Sequence, residues 1–281
     1  MGGLVLDNVS AATSGTAAQR RPRMGPRVSR VPIGVWRVVL LVALALVWWF
    51  IAVFVGRNFI PTPLATFNAA IRLIDNGTLA RATGQSLAVF FTGYLIAAAV
   101  AIPLGLLMGG FRVLGATLEV YVNALTATPR VAFIPLIIIF LGLGFEAKVM
   151  VIFLGAVMPI LINTYAGVLN SDGELVEMAR SSGAGELAIF RKIMLPGSLR
   201  YIVAGLRLGA AIGLINTVVA ELYTAVRGLG GLLSTYGNTF QMDNYFVVVL
   251  AFATIGVITT QSLKLIEMRM DRWQYQQGER R

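Results

Sequence analysis

The chain has 281 residues, of which 57% are hydrophobic and only 13% charged, and its formal net charge is +10. A soluble domain carries about 25% charged residues, so this much apolar surface calls for a bilayer as its solvent. There is no cysteine and no histidine. That removes disulfides, thiol nucleophiles and thiolate metal sites, and also the commonest metal ligand and neutral-pH proton carrier. Neither a metal centre nor a cofactor site is expected.

Residues 1–35 are rich in Ser, Gly, Ala and Arg, including Arg20, Arg21, Arg23, Arg27 and Arg30. This composition predicts a disordered basic cytoplasmic tail. Arginines ahead of an apolar run also fit a signal peptide, but the leader is long and no small-residue cleavage site follows Phe54. From there the apolar runs predict six spanning helices, over 36–55, 84–110, 115–142, 147–168, 199–222 and 243–266, since a span needs about 20 mostly apolar residues. The third is interrupted by Pro129, Arg130 and Pro135. The runs are too long, and too little alternating, for a closed barrel. Between the first two spans, Pro61 and Pro63 open the segment 56–83 and Asn76–Gly77 marks a turn; residues 64–75 predict a short amphipathic helix at the membrane surface. The expected transmembrane domain covers 36–273, with a second tail at 274–281.

Lys and Arg near span ends set orientation. One side collects Arg112, Arg180, Arg191, Lys192, Arg200, Lys264 and Arg269 together with the arginines of both tails. The other holds Arg57, Arg72, Arg81, Lys148 and Arg227. Both termini are therefore expected in the cytoplasm of a multi-pass plasma- or inner-membrane protein. Topology explains the basic excess without nucleic acid.

The segment between spans four and five reads NSDGELVEMARSSGAGELAIFRKIMLPGSLRY from Asn170. Ser171 and Glu174 have capping-box spacing, which predicts a helix starting near Asp172. Gly183 can end it by taking the left-handed conformation. A second helix is expected over 185–194, with Glu186 at its positive end, Arg191 and Lys192 at its negative end, and Leu187, Phe190 and Met194 as an apolar stripe. Pro196 is expected to stop it. Two short helices about a tight turn make a rigid protrusion at 172–196. An ordinary loop capping a bundle would look the same.

Glu177-Met178-Ala179, then Gly183, then Ile193-Met194-Leu195-Pro196 resemble the EAA signature of importer-type ABC permeases, which runs Glu-Ala-Ala, three residues, Gly, nine residues, Ile-x-Leu-Pro. Met178 is the departure, a larger apolar residue in place of the first Ala. Other pieces, in the same order along the chain, resemble the nitrate/sulfonate/taurine subfamily. They are Asn58-Phe59-Ile60-Pro61-Thr62-Pro63, Gly77-Thr78-Leu79, Pro129 to Pro135, Gly142-Leu143-Gly144, Glu221 and Gly228-Leu229-Gly230. The resemblance implies an all-α integral membrane fold of the MetI-like ABC importer permease type, working as two permease copies, expected to be a homodimer. It implies cytoplasmic ABC ATPases as partners, docked on Glu177, Ala179, Gly183, Ile193, Leu195 and Pro196, an extracytoplasmic substrate-binding protein, and membrane lipid around the spans. The cargo implied is a small anion such as a sulfonate, taurine or nitrate. ATP hydrolysis would belong to the partner, so this chain is not expected to be an enzyme.

Polar residues inside the spans are the candidates for a translocation pathway. Arg130 either meets an anionic substrate or pairs and snorkels. Asn163 and Asn216 fit helix–helix hydrogen bonds as well as pathway lining. Glu221 would contact the binding protein, brace a gate, or be a solvated helix end. Arg207 fits snorkelling, and Trp48 and Trp49 fit interface anchors. The run Gly228 to Gly231 lacks the Lys-Ser/Thr of a phosphate loop and reads as a turn. The competing function is a secondary transporter or channel independent of ATP, for which a histidine relay is missing and no internal repeat is visible.

Overall fold

The computed structural model describes residues 32–56, 59–225 and 227–278, without the side chains of residues 33 and 270–278. The basic tail expected over 1–35 lies outside the described residues as far as position 31, as do positions 279–281 of the second tail. Every regular element among the described residues is helical. In chain order these are α1 (Ile33–Val55), α2 (Pro63–Asp75), α3 (Thr78–Gly110), α4 (Arg112–Ala127), α5 (Ile134–Leu141), α6 (Phe145–Leu169), α7 (Gly173–Ser181), α8 (Glu186–Ile189), α9 (Leu195–Thr224), α10 (Leu229–Asn238) and α11 (Met242–Gly278). Five helices are long and apolar enough to cross a membrane, or six when α4 and α5, bent by 80° at their break, count as one span. The break follows from local chemistry. Pro129 disfavours the helical conformation at the residue before it, and Thr128 is extended at φ −76° and ψ 131°. Arg130–Phe133 then forms a tight 3-10 turn, and Pro135 sits in the first turn of α5, where its missing N–H costs no helical bond.

The chain divides at Leu46/Val47 into two units. The described part of the first is the start of α1, whose side chains are largely apolar and exposed, as a lipid-facing helix requires. The second unit is organised around α3, α6 and α9. Small residues recur every fourth position on α3 (Gly93, Ala97, Ala101, Gly105, Gly109) and on α9 (Gly205, Gly209, Gly213). In lipid, helices associate through close packing and hydrogen bonds, so missing side chains let backbones approach. A Cβ on Gly93 would come within 2.8 Å of Ile152 on α6, and one on Gly205 within 2.8 Å of Asn163. Phe90, Ile152, Ile160 and Ala210 fill the seam, fully buried.

At one end of this core, α7 and α8 project between α6 and α9. At the opposite end lie α2 and α10. Thr62 caps α2 by accepting the Ala65 N–H at 3.3 Å. Ala69 and Leu73 pack on Val247 of α11, while Leu64, Phe67, Ile71 and Ile74 point outward. A helix therefore does form over the segment expected to be helical, and its exposed side mixes these apolar residues with Asn68, Arg72 and Asp75. Trp48 is tied into this end: its indole Nε1 donates to the Pro61 carbonyl at 3.0 Å and its ring stacks on Phe246 at 5.9 Å. Trp49 remains exposed.

Candidate functional site

The protrusion is built from two capped turns. Asp172, rather than a Ser171–Glu174 box, caps α7: its carboxylate accepts from the N–H groups of Glu174 at 3.1 Å and Leu175 at 3.3 Å. At the other end Gly183 has φ +79°. The Gly183 N–H donates to Arg180 O and the Ala184 N–H to Ala179 O, the paired bonds of a Schellman stop. Arg180 then bridges the turn, donating from Nε and one terminal nitrogen to the two carboxylate oxygens of Glu186 at 3.1 Å each. This contact pushes the ionisation of Arg180 further up from an already high value. Val176 and Ile189 are buried and root the protrusion, and Phe190 lies over Gly110 at the end of α3. Glu177, Gly183 and Pro196 are exposed, and Ala179, Ile193 and Leu195 are half-buried. Met178 and Leu187 add large apolar side chains to the exposed surface, the latter 79% accessible.

Pro196 does not stop the second helix. Phe190–Met194 forms one π-helical turn and Pro196 falls in the first turn of α9, where a proline is tolerated. Glu186–Thr224 therefore runs as one helix of 39 residues.

Along the core, the expected pathway residues fall on the α6–α9 seam. Pro159 lies within α6 and cannot donate to the carbonyl four residues earlier, which is that of Gly155. Arg130 takes up that carbonyl, donating to Gly155 O at 3.0 Å and more weakly to Leu154 O at 3.4 Å. The carboxamide of Asn216 packs against the same glycine, so a Cβ on Gly155 would overlap it. Arg130 and Asn216 thus meet at one point of α6. Asn163 lies elsewhere on the seam, over Gly205, with its Nδ2 bonded to Pro159 O at 2.8 Å. Arg207, expected to snorkel, forms an ion pair with Glu267 of α11 at 2.7 Å with its side chain 40% exposed. Glu267 lies at the charged end of α11, between Lys264 and Arg269.

Glu221 is not a solvated helix end. It is 1% exposed and its carboxylate accepts from Ser86 Oγ of α3 and from the Gly230 N–H, each at 2.8 Å. Ser86 Oγ accepts in turn from the Leu229 N–H at 2.8 Å. Lys148, counted among the outer loop charges by sequence, is buried as well, and its Nζ donates to Arg227 O at 3.1 Å. The run Gly228 to Gly231 is the start of helix α10 wrapped on Glu221, and not a turn alone. Among the described residues no group of acids has the arrangement of a metal site.

A bundle of five or six spans, with a rigid helical elbow at one end and polar groups buried along its central seam, has the build of a membrane transport subunit. The fold is shared with the methionine ABC transporter MetNI in inward-facing conformations, at a TM-score of 0.58 and 20% identity, over 66% of this chain and 93% of that one. The chain belongs to the family of binding-protein-dependent transport system inner membrane components, whose model matches residues 101–272. Relatives include an ABC transporter permease protein of Brucella abortus, 30% identical over 80% of this chain and 90% of that protein. The taurine transport system permease protein of Escherichia coli is 28% identical over 83% and 87%. The riboflavin transport system permease protein of Chloroflexus aurantiacus is 30% identical over 90% and 96%. The chain is thus a non-catalytic, multi-pass inner-membrane subunit of an ABC importer, a family that works with an ATPase and a substrate-binding protein.

Proposed function

We propose that this permease brings a small sulfonate-bearing solute of the alkanesulfonate or taurine class into the cytoplasm, with two copies of the chain forming the pathway and both termini cytoplasmic. A partner ATPase docks on the protrusion from α7 to the start of α9, through Glu177, Ala179, Gly183, Ile193, Leu195 and Pro196. ATP binding draws the protrusions together, the spans open outward to receive cargo from the binding protein, and hydrolysis resets them. Of the pathway candidates Arg130, Asn163, Asn216 and Glu221, the last is closed off by its bonds to Ser86 and Gly230, and Arg130 carries the cargo assignment. Its guanidinium is half-buried in a broken span, one nitrogen is anchored on the carbonyl that Pro159 releases, and no carboxylate among the described residues pairs with it. A cation in a membrane marks an ion or substrate path by default. Taurine is the cargo named for one relative and riboflavin for another; an unpaired cation at mid-span favours the one that carries a sulfonate group.

The test is uptake of radiolabelled taurine and of an alkanesulfonate by proteoliposomes holding the permease with its ATPase and binding protein. Arg130→Gln should lower uptake about ten- to a hundredfold, the loss of one hydrogen bond to a charged group, while ATPase activity without cargo persists. Undiminished uptake of either solute by Arg130→Gln would remove Arg130 from the pathway. Failure of the wild type to move both would remove the cargo class.

A further inference from the structure

The helix that leaves the protrusion ends inside a lock. Glu186–Thr224 is one unbroken run of helix, irregular only at the π-helical turn Phe190–Met194 beside the protrusion, so from Leu195 onward α9 carries a displacement as regular helix to Glu221. There the backbone of residues 227–230 is held on side chains from three different helices. Gln85 of α3 accepts the Gly228 N–H at 3.1 Å, Ser86 of α3 accepts the Leu229 N–H, Glu221 of α9 accepts the Gly230 N–H, and Lys148 of α6 donates to the Arg227 carbonyl. The contact is also steric. Cβ atoms on Gly228 or Gly230 would overlap the Glu221 side chain, so the turn is moulded on that residue. Below it, Leu229 and Leu233 pack with Ala82 of α3 and Val248 of α11. A short helix at a membrane surface can have its first N–H groups capped by water. Burying a carboxylate and an ammonium to do the same is costly, and a fully satisfied buried network returns rigidity.

We infer that Glu221 is a positioning residue of the transport cycle: it fastens α10 to the far end of α9, so that α10 moves as one body with the α3–α6–α9 core when α7 and α8 are displaced. The inference rests on the proposed docking of the ATPase at α7 and α8. A cavity of about 230 Å³ between α3 and α10, lined by Arg81, Gln85, Arg227 and Thr235, lies wholly within that body and is carried with it unchanged in shape, so displacement at one end of the molecule moves the surface at the other.

The absence of native cysteine makes spin labelling direct. Single labels at Met178→Cys on the protrusion and at Thr235→Cys on α10, both exposed, report distances between the two copies in the assembled transporter, with and without ATP. In the wild type both distances shift with ATP. In Glu221→Gln, whose carbonyl still accepts from Gly230 and whose amide still reaches Ser86, both shift as before. In Glu221→Ala the Met178 distance shifts and the Thr235 distance no longer follows it. A residue that only stabilised the fold would lower the unfolding temperature and leave the two distances in step, and that result overturns the inference. A second measurement needs no change at Glu221: a pair at Ala80→Cys and Thr235→Cys within one copy should keep one distance in all nucleotide states, and a change with ATP contradicts a single body. If the wild-type Met178 distance ignores ATP, the docking reading itself falls and takes this inference with it.

Discussion

The two ends of α9 solve opposite problems with the same backbone chemistry. At the α7–α8 end a glycine at φ +79° stops a helix, and the surrounding polar contacts, such as Arg180 to Glu186, are exposed. At the α10 end a glycine at φ +88° precedes a helix, and the contacts around it are buried, with Glu221 at their centre. The first arrangement keeps a rigid shape while leaving Met178 and Leu187 open to a partner. The second buries Ser86, Lys148 and Glu221 and leaves only Gln85 of the lock half-exposed. One end is exposed and the other is held by buried contacts.

That contrast orders what substitutions should do. Gly228→Ala breaks it most severely: Gly228 has φ +88° and ψ −175°, a region open essentially to glycine alone, and the new methyl overlaps Glu221. Backbone strain and overpacking together should cost about 3 kcal/mol or more, seen as loss of folded permease in detergent. Ser86→Ala is the next step down. It strands the Leu229 N–H and removes a donor to Glu221, for about 1–3 kcal/mol, read as a lower unfolding temperature. Gly183→Val at the open end should cost about 1–2 kcal/mol through its left-handed backbone. The fold should survive, because nothing lies within 4 Å of an added Cβ, while ATPase assembly and ATP-driven transport are lost. Full transport by that variant would argue that the protrusion is not the dock. Arg180→Ala should leave the unfolding temperature unchanged, since an exposed ion pair contributes little. A large drop would show that the turn depends on Glu186 rather than on its backbone bonds.

The same contrast explains what the sequence made legible. Spans were readable because a bilayer demands long apolar runs, and the protrusion because its caps, Asp172 and Gly183, act within a few residues. The lock was not, because Ser86 and Glu221 are 135 residues apart and neither carries a local sign of its partner. The same holds for Arg207 and Glu267. Arg130 was readable as costly, but its partner followed from Pro159 freeing Gly155 O, which needs α5 and α6 side by side. One missed signal was within reach: small residues every fourth position at Gly205, Gly209 and Gly213 mark the face of α9 that meets α6. The stop expected at Pro196 failed because the π-helical turn at Phe190–Met194 shifts the backbone bonds just ahead of the proline, and α8 runs on into α9.

The central claim is that α7 and α8 are where ATP hydrolysis by a partner enters this chain. The direct measurement is cross-linking in the assembled transporter, with Leu187→Cys on the protrusion and Asn238→Cys at the α10 end, each carrying a short photoactivatable reagent. The account predicts that Leu187→Cys captures the ATPase subunit, with a yield that changes on ATP binding, and that Asn238→Cys never does. Capture of the ATPase from Asn238, or none from Leu187 in a complex that hydrolyses ATP, would contradict it.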